Sequence, residues 1–240
     1  PGRYLISEVE LLQAGKHPGK INLTDADNAL NILRYMPETP VATVMKHNNP
    51  AGVAMGDTIA EAYVKADLAD HIAAFGGCVG LNRPVDKATA EAISERYAEV
   101  VVAPDYEPGT VAILGKRKNL RIMRVTNMAR LRTYRNERVI DFKSLIDGSV
   151  IAQLSYSPET WTADDLLPAE TTRKGATYRV ERQPTEKEIE DMLFGWWVEA
   201  GVTSNSVLYA KDGVTVGIGA GGQDRVGVAV LARDRAYRNL

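Results

Sequence analysis

Between residues 24 and 125, short and largely apolar runs alternate with amphipathic stretches of helical period, and no other feature of the chain restricts its fold as tightly. Thr24 or Asp25 is placed to cap a helix that carries Leu23, Leu30, Ile32 and Leu33 and runs to about Tyr35, where Pro37 and Pro40 stop it. Residues 41–45 form a β-branched apolar run suited to a buried strand. Asn48-Asn49-Pro50-Ala51-Gly52 reads as a turn, and Thr58 opens a second helix with Ala60, Ala62, Tyr63, Ala66 and Leu68 as its apolar set. The alternation continues with a strand at 78–81, a helix at 87–98, a strand at 99–103 ended by Pro104, a short helix at 111–114 and a strand at 120–125. Elements in this order argue for a layered α/β fold with a largely parallel sheet.

From residue 126 to about 184 the pattern weakens into Arg-rich and Pro-containing stretches with one strand at 149–154. Periodicity returns at Thr185, which caps a helix through Met192, Leu193, Trp196 and Trp197; a hairpin follows at 207–209 and 214–218, turning at Lys211-Asp212-Gly213. The expected division is a first lobe at 1–130, a connecting region at 131–184 and the start of a second lobe at 185–240.

Composition mainly excludes. A net charge of -2 provides no field suited to a polyanion, so nucleic acid is not the expected partner, although 29 Lys and Arg can still gather around a small anion. The first ten residues lack the apolar core of a signal peptide, and nowhere does an apolar run approach the ~20 residues that span a bilayer, so no membrane partner is expected. The single cysteine, Cys78, permits no intrachain disulfide and fits a reducing, cytoplasmic compartment; its expected place is the core. The chain has no initiator Met and stops within a helical pattern that lacks a cap, which leads us to expect a part of something longer.

Five segments carry candidate chemistry. Lys46-His47 follows a strand directly, at the carboxyl end where open α/β sheets bind ligands; the pair offers a base that titrates near neutrality beside a fixed positive charge. Phe75-Gly76-Gly77 closes the second helix, either as a glycine cap or as backbone that must approach a ligand closely, and spacing does not separate the two. Glu99 at a strand start is either solvated or a ligand contact. Ser204-Asn205-Ser206 precedes the hairpin, and Gly217-Ile218-Gly219-Ala220-Gly221-Gly222 follows it ahead of Arg225, where backbone amides can face an anion. Neither a dinucleotide fingerprint nor a P-loop is present, and one Cys with three His gives no zinc motif.

In order along the chain, Lys46-His47-Asn48-Asn49-Pro50-Ala51-Gly52, Ala74-Phe75-Gly76-Gly77, residues 99–104, Ser204-Asn205-Ser206-Val207 with Tyr209-Ala210-Lys211-Asp212-Gly213, and Gly217-Ile218-Gly219-Ala220-Gly221 with Arg225 resemble the AICAR transformylase domain of the bifunctional purine biosynthesis family; Ile21-Asn22-Leu23 adds a sixth block. The resemblance implies an α/β fold of two similar lobes with the cytidine deaminase-like three-layer architecture, working as a homodimer. It implies formyl transfer from 10-formyltetrahydrofolate to the 5-amino group of 5-aminoimidazole-4-carboxamide ribonucleotide (AICAR), in the route to inosine monophosphate, with no metal. By similarity His47 is the general base, and Lys46 with Asn205 stabilises the transition state. Asn22, Phe75, Gly76, Glu99 and Asn205 line the AICAR pocket, and Arg225 with Val226 contacts the folate. The family's cyclohydrolase domain and its Arg-Tyr-Gly…Asn-Pro-His-Gln and Ser-Asp-Ala-Phe-Phe-Pro-Phe-Arg blocks have no counterpart here, so ring closure is not expected from this chain. Gly222-Gln223-Asp224 departs from the family's residues before the arginine and weakens the folate assignment. The alternative expectation is a transformylase-like protein that binds a purine ribonucleotide without catalysis.

Overall fold

A computed structural model describes residues 5–238. In chain order its first part runs β1 (Glu10–Gln13), α1 (Lys20–Leu33), β2 (Val41–Lys46), β3 (Asn49–Met55), α2 (Ile59–Ala69), α3 (His71–Ala74), β4 (Gly77–Leu81), α4 (Lys87–Glu95), β5 (Ala98–Ala103), α5 (Thr110–Leu114) and β6 (Arg121–Arg124). Thr58 and Asp86 cap α2 and α4 by accepting the amides of Glu61 and Thr89, as short polar side chains ahead of an apolar period should.

Two sequence expectations are corrected here. Residues 49–52 are not a turn but the start of β3: the reversal comes two residues earlier, at His47-Asn48, and Pro50 is tolerated within a strand whose partner pairing shifts register at that point. Helix α1 is capped by Gly19 rather than Thr24 or Asp25, with the Asn22 carboxamide accepting the Gly19 amide at 3.1 Å, so Asn22 and Asp25 lie inside the helix.

The remaining elements are β7 (Ile140–Ser144), β8 (Val150–Leu154), β9 (Glu170–Arg173), β10 (Ala176–Arg179), α6 (Glu186–Glu199), β11 (Val207–Lys211), β12 (Val214–Gly219) and α7 (Arg225–Arg238). The connecting region is more ordered than its composition suggests. It forms two exposed hairpins, β7–β8 and β9–β10, and a strap whose Trp161 stacks between Tyr35 and Trp197, with the Trp197 indole donating to the Thr160 carbonyl at 3.1 Å.

The main sheet has eight strands in the order β1-β6-β5-β4-β2-β3-β12-β11. Only the β4–β5 and β5–β6 pairings of this sheet are parallel; its other pairings are antiparallel, which corrects the largely parallel sheet expected from the alternation. The physical reason is the β2–β3 hairpin, which places a second strand, antiparallel to β2, where only a turn was expected. The β11–β12 hairpin, expected to begin a second lobe, extends this same sheet. Buried Thr215 on β12 accepts the Val53 amide at 3.0 Å, and the Gly213 carbonyl accepts the Met55 amide at 2.9 Å.

Helices cover both faces, giving three layers. Ala26, Ala29, Leu30, Leu33, Phe194 and Val198 from α1 and α6 pack on Val41, Met45, Val53, Cys78, Val100 and Val102. On the opposite face Ala62, Tyr63 and Ala66 of α2, Ile93 of α4 and Leu114 of α5 pack on Ala42, Val44, Val79, Leu81 and Val101. The alternation of inward residues along β2 and β5 is what divides the two cores. Among the described residues no helix is long and apolar enough to cross a membrane.

Candidate functional site

Lys46 pairs with Asn49 across the β2–β3 hairpin, leaving His47 and Asn48 as a two-residue turn with φ of 53° and 61°. Two-residue hairpins favour positive φ at both central positions because this matches strand twist, and Asn-Gly is the usual choice. A histidine in the first position occupies backbone space that side-chain-bearing residues seldom adopt, so surrounding contacts must hold it there. The turn is gripped from three sides. The Asp25 carboxylate accepts the Asn48 amide at 2.5 Å, the Asn28 carboxamide donates to the Asn48 carbonyl at 3.0 Å, and the Asn49 carboxamide accepts the Thr203 amide at 2.8 Å.

Beside the turn, where β2 ends and the parallel strands β4 and β5 begin, lies a cleft of about 260 Å³. Helix α1 contributes Ile21, Asn22 and Asp25, the hairpin contributes Lys46 and His47, and the strand starts contribute Gly76, Cys78 and Glu99. Five of the nine residues singled out from the sequence therefore share one wall-to-wall space: Asn22, Lys46, His47, Gly76 and Glu99. The Lys46 ammonium donates to the Phe75 carbonyl and lies 5.9 Å from the centre of the Phe75 ring, which is exposed and packs on Tyr97 at 4.9 Å. Phe75 itself does not line the cleft and reaches it only through its carbonyl on Lys46.

Gly76 has φ of 74°, the left-handed position after α3 that a helix-terminating glycine takes, and a Cβ there would meet the Tyr97 ring at 3.3 Å and the Lys46 ammonium at 3.6 Å. Glu99 faces Arg121 at 3.5 Å; Arg121 is mostly buried and also donates to the Lys16 carbonyl at 2.7 Å, so this carboxylate is backed by a fixed cation rather than merely solvated.

Burial raises the Asp25 carboxyl above its usual range, opposed by the Asn48 amide and the His47 charge. Burial, and then the charge of Asp25, pushes the Cys78 thiol well above its ordinary value. Cys78 is a protonated core thiol that lends the cleft a wall and no nucleophile.

Asn205, Arg225 and Val226 lie outside this cleft. The Asn205 carboxamide and amide both donate to the Gly222 carbonyl, at 3.1 and 3.3 Å, while the Gly221 and Gly222 amides donate to the Thr203 and Asn205 carbonyls. The glycine-rich turn therefore spends these amides on the 203–205 loop. Arg225 and Val226 stand exposed on the first turn of α7. The link back to the cleft is indirect, through Thr203 on Asn49 and through the Asn28 carboxamide, which donates to the Gly201 carbonyl at 2.9 Å. Sequence reasoning missed Asp25 as a site residue. The available signal was the polar series Asn22, Asp25, Asn28, spaced by three along α1. Among the described residues no three His, Cys, Asp or Glu side chains gather in a way that could hold a metal.

Three layers around a mixed sheet, with one polar cleft that sets an ammonium and an imidazole among carboxylates, define an α/β protein built to handle a small polar molecule. Over residues 2–235 the chain matches the AICARFT/IMPCHase bienzyme family, and it belongs to that family. It is 38% identical over 222 residues to the bifunctional purine biosynthesis protein PurH of Nostoc punctiforme, covering 92% of this chain and 40% of that protein. It is 40% identical over 223 residues to the protein of the same name from Thermoanaerobacter sp., covering 93% of this chain and 40% of the relative. The chain thus spans about 40% of the length of the curated relatives it matches.

Proposed function

We propose that this chain carries out formyl transfer from 10-formyltetrahydrofolate to the 5-amino group of AICAR, giving 5-formamidoimidazole-4-carboxamide ribonucleotide in purine biosynthesis, without itself carrying out ring closure. The observation that carries the reading is Lys46-His47 at the tip of the β2–β3 hairpin, in one cleft with Asn22, Gly76 and Glu99. Family membership and the name borne by the relatives support it.

The amine of AICAR is a weak nucleophile, because its lone pair is delocalised through the imidazole into the carboxamide. Attack on a formyl carbon therefore needs a proton acceptor, and the His47 imidazole is the group in the cleft with the right chemistry. Lys46 supplies positive charge where the tetrahedral oxyanion develops, and its tether to the Phe75 carbonyl holds that charge in place without reorganisation. The proton taken by His47 is returned to the nitrogen that loses the formyl group. Glu99 and Asn22 offer an acceptor and a carboxamide to the carboxamide of the substrate, and Gly76 with the Phe75 backbone gives the flat ring room.

Asn205 is assigned the second stabilising and substrate-contacting role, reached through the 201–205 loop that touches the hairpin. Arg225 and Val226 are assigned to the folate, a cation and an apolar surface both exposed at the start of α7. We further propose a cytoplasmic homodimer. Leu68 on α2, Ile72 on α3, and Val226, Val230 and Tyr237 on α7 supply exposed apolar side chains for such an interface. The cytidine deaminase-like pair of lobes belongs to this proposal, with residues 1–130 as the first lobe, 131–184 as the connection and 185–240 as the start of the second.

The test is formyl transfer with AICAR and 10-formyltetrahydrofolate, followed by tetrahydrofolate release, for the native chain and His47→Ala. Loss of the general base should slow transfer by about 10²–10⁴-fold. A His47→Ala chain as fast as the native one refutes the assigned mechanism. AICAR binding with no turnover in either chain would favour the non-catalytic, nucleotide-binding reading.

A further inference from the structure

The His47–Asn48 turn has left-handed backbone at both central positions, and neither residue is glycine. Such a conformation persists only where its surroundings over-determine it. On α1, Asp25 and Asn28 are three residues apart and so point to the same side. Together they take both polar backbone groups of Asn48: the Asp25 carboxylate accepts the N–H at 2.5 Å and the Asn28 carboxamide donates to the C=O at 3.0 Å. Asn28 also donates to the Gly201 carbonyl, and Asn31, one turn on, donates to the Asn28 side-chain oxygen at 3.1 Å, which fixes the orientation of the carboxamide.

Asp25 is 5% exposed, and among the described residues no Lys or Arg forms an ion pair with it. A buried carboxylate without a cation is costly unless hydrogen bonds satisfy it, and a charged acceptor binds an N–H more strongly than a neutral one. Helix capping does not account for it, since Gly19 caps α1 a turn and a half earlier. Burial is the main influence raising this carboxyl, and the Asn48 and His47 amides both act against it.

We propose that Asp25 and Asn28 form a clamp on α1 that fixes the His47–Asn48 turn, making Asp25 a positioning residue that holds the His47 imidazole in register with the cleft. This deepens the formyl-transfer reading above and rests on it for the kinetic part of its test.

The experiment pairs steady-state kinetics with amide exchange by ¹⁵N NMR on the native chain, Asp25→Ala, Asp25→Asn and Asn28→Ala. Misplacing a catalytic group by about 1 Å costs on the order of 10²-fold, so Asp25→Ala should lower kcat about 100-fold. The KM for AICAR should stay within about threefold, because the Asp25 carboxylate, although it borders the cleft, is 5% exposed and engaged by the Asn48 amide. In the same variant the Asn48 amide should exchange at least about tenfold faster. Asp25→Asn keeps an acceptor oxygen in place and should recover kcat to within about tenfold of native. A folded Asp25→Ala chain with native kcat, or with unchanged Asn48 exchange, overturns the clamp. Should Asp25→Ala fail to fold, Asn28→Ala decides: accelerated exchange at Asn48 with reduced kcat supports the proposal, and native values for both overturn it. If the native chain transfers no formyl group while Asn48 protection is lost only in the clamp variants, the clamp stands and the reaction assignment falls.

Discussion

Gly52 lies on β3 opposite Val44, directly beneath α2. A Cβ built there would sit 2.0 Å from the Ala66 carbonyl oxygen and 2.7 Å from the Ala69 Cβ. Contacts under 3.0 Å essentially do not occur for real Cβ atoms, so Gly52→Ala must push α2 outward by about an ångström. The atom in the way belongs to helix backbone, so no side chain can rotate to make room. The displaced interface contains Ala62, Tyr63 and Ala66 on Ala42, Val44 and Ala54, all buried. Overpacking of this kind costs about 1–3 kcal/mol, and a rigid backbone clash belongs near 3. With a urea m-value of roughly 2 kcal/mol/M, the unfolding midpoint should fall by about 1.5 M at unchanged slope. Gly19→Ala is the matched control: it adds the same methyl group at φ -83° with nothing within 4 Å, and should move the midpoint by less than about 0.5 M. A Gly52→Ala midpoint within about 0.2 M of native would refute the argument that this glycine sets the β3–α2 distance.

Two further outcomes follow from charge and burial. Cys78 is wholly buried with its thiol pushed well above the ordinary range, so the native protein at pH 8 should leave Ellman's reagent unreacted and the chain in urea should titrate one thiol; rapid native labelling would contradict the buried placement. The Glu188 carboxyl is held at about 2, below its ordinary 4.5, first by Arg182 and then by the Thr185 amide. A depressed carboxyl stabilises the fold above its unfolded pKa and loses that contribution as pH falls. The difference in urea midpoint between native and Glu188→Gln should therefore be present above pH 4.5 and vanish between 4.5 and 2; a difference independent of pH would show that the charge is not involved.

Much of this protein was legible in its residues because the relevant signals are local. Thr58 and Thr185 announce helix starts because each satisfies amides within three residues, and apolar runs such as 41–45 and 99–103 announce strands because both faces are covered. The candidate pair Lys46-His47 was likewise visible, as was the order of motif blocks that placed the chain in its family. Strand direction was not, because a parallel and an antiparallel neighbour demand the same apolar run; only the two-residue reversal at His47-Asn48 fixes the pairing, and its turn chemistry lies in φ rather than in an Asn-Gly signature. The union of the 207–219 hairpin with the first sheet depends on Thr215 meeting Val53, which are 162 positions apart. Asp25 completes the contrast: its sequence neighbourhood suits a helix cap, while packing α1 beside the β2–β3 turn gives its carboxylate a backbone amide 23 residues away. Local hydrogen bonding and periodicity are written in the sequence, but which distant groups meet a buried charge is decided only when the layers close.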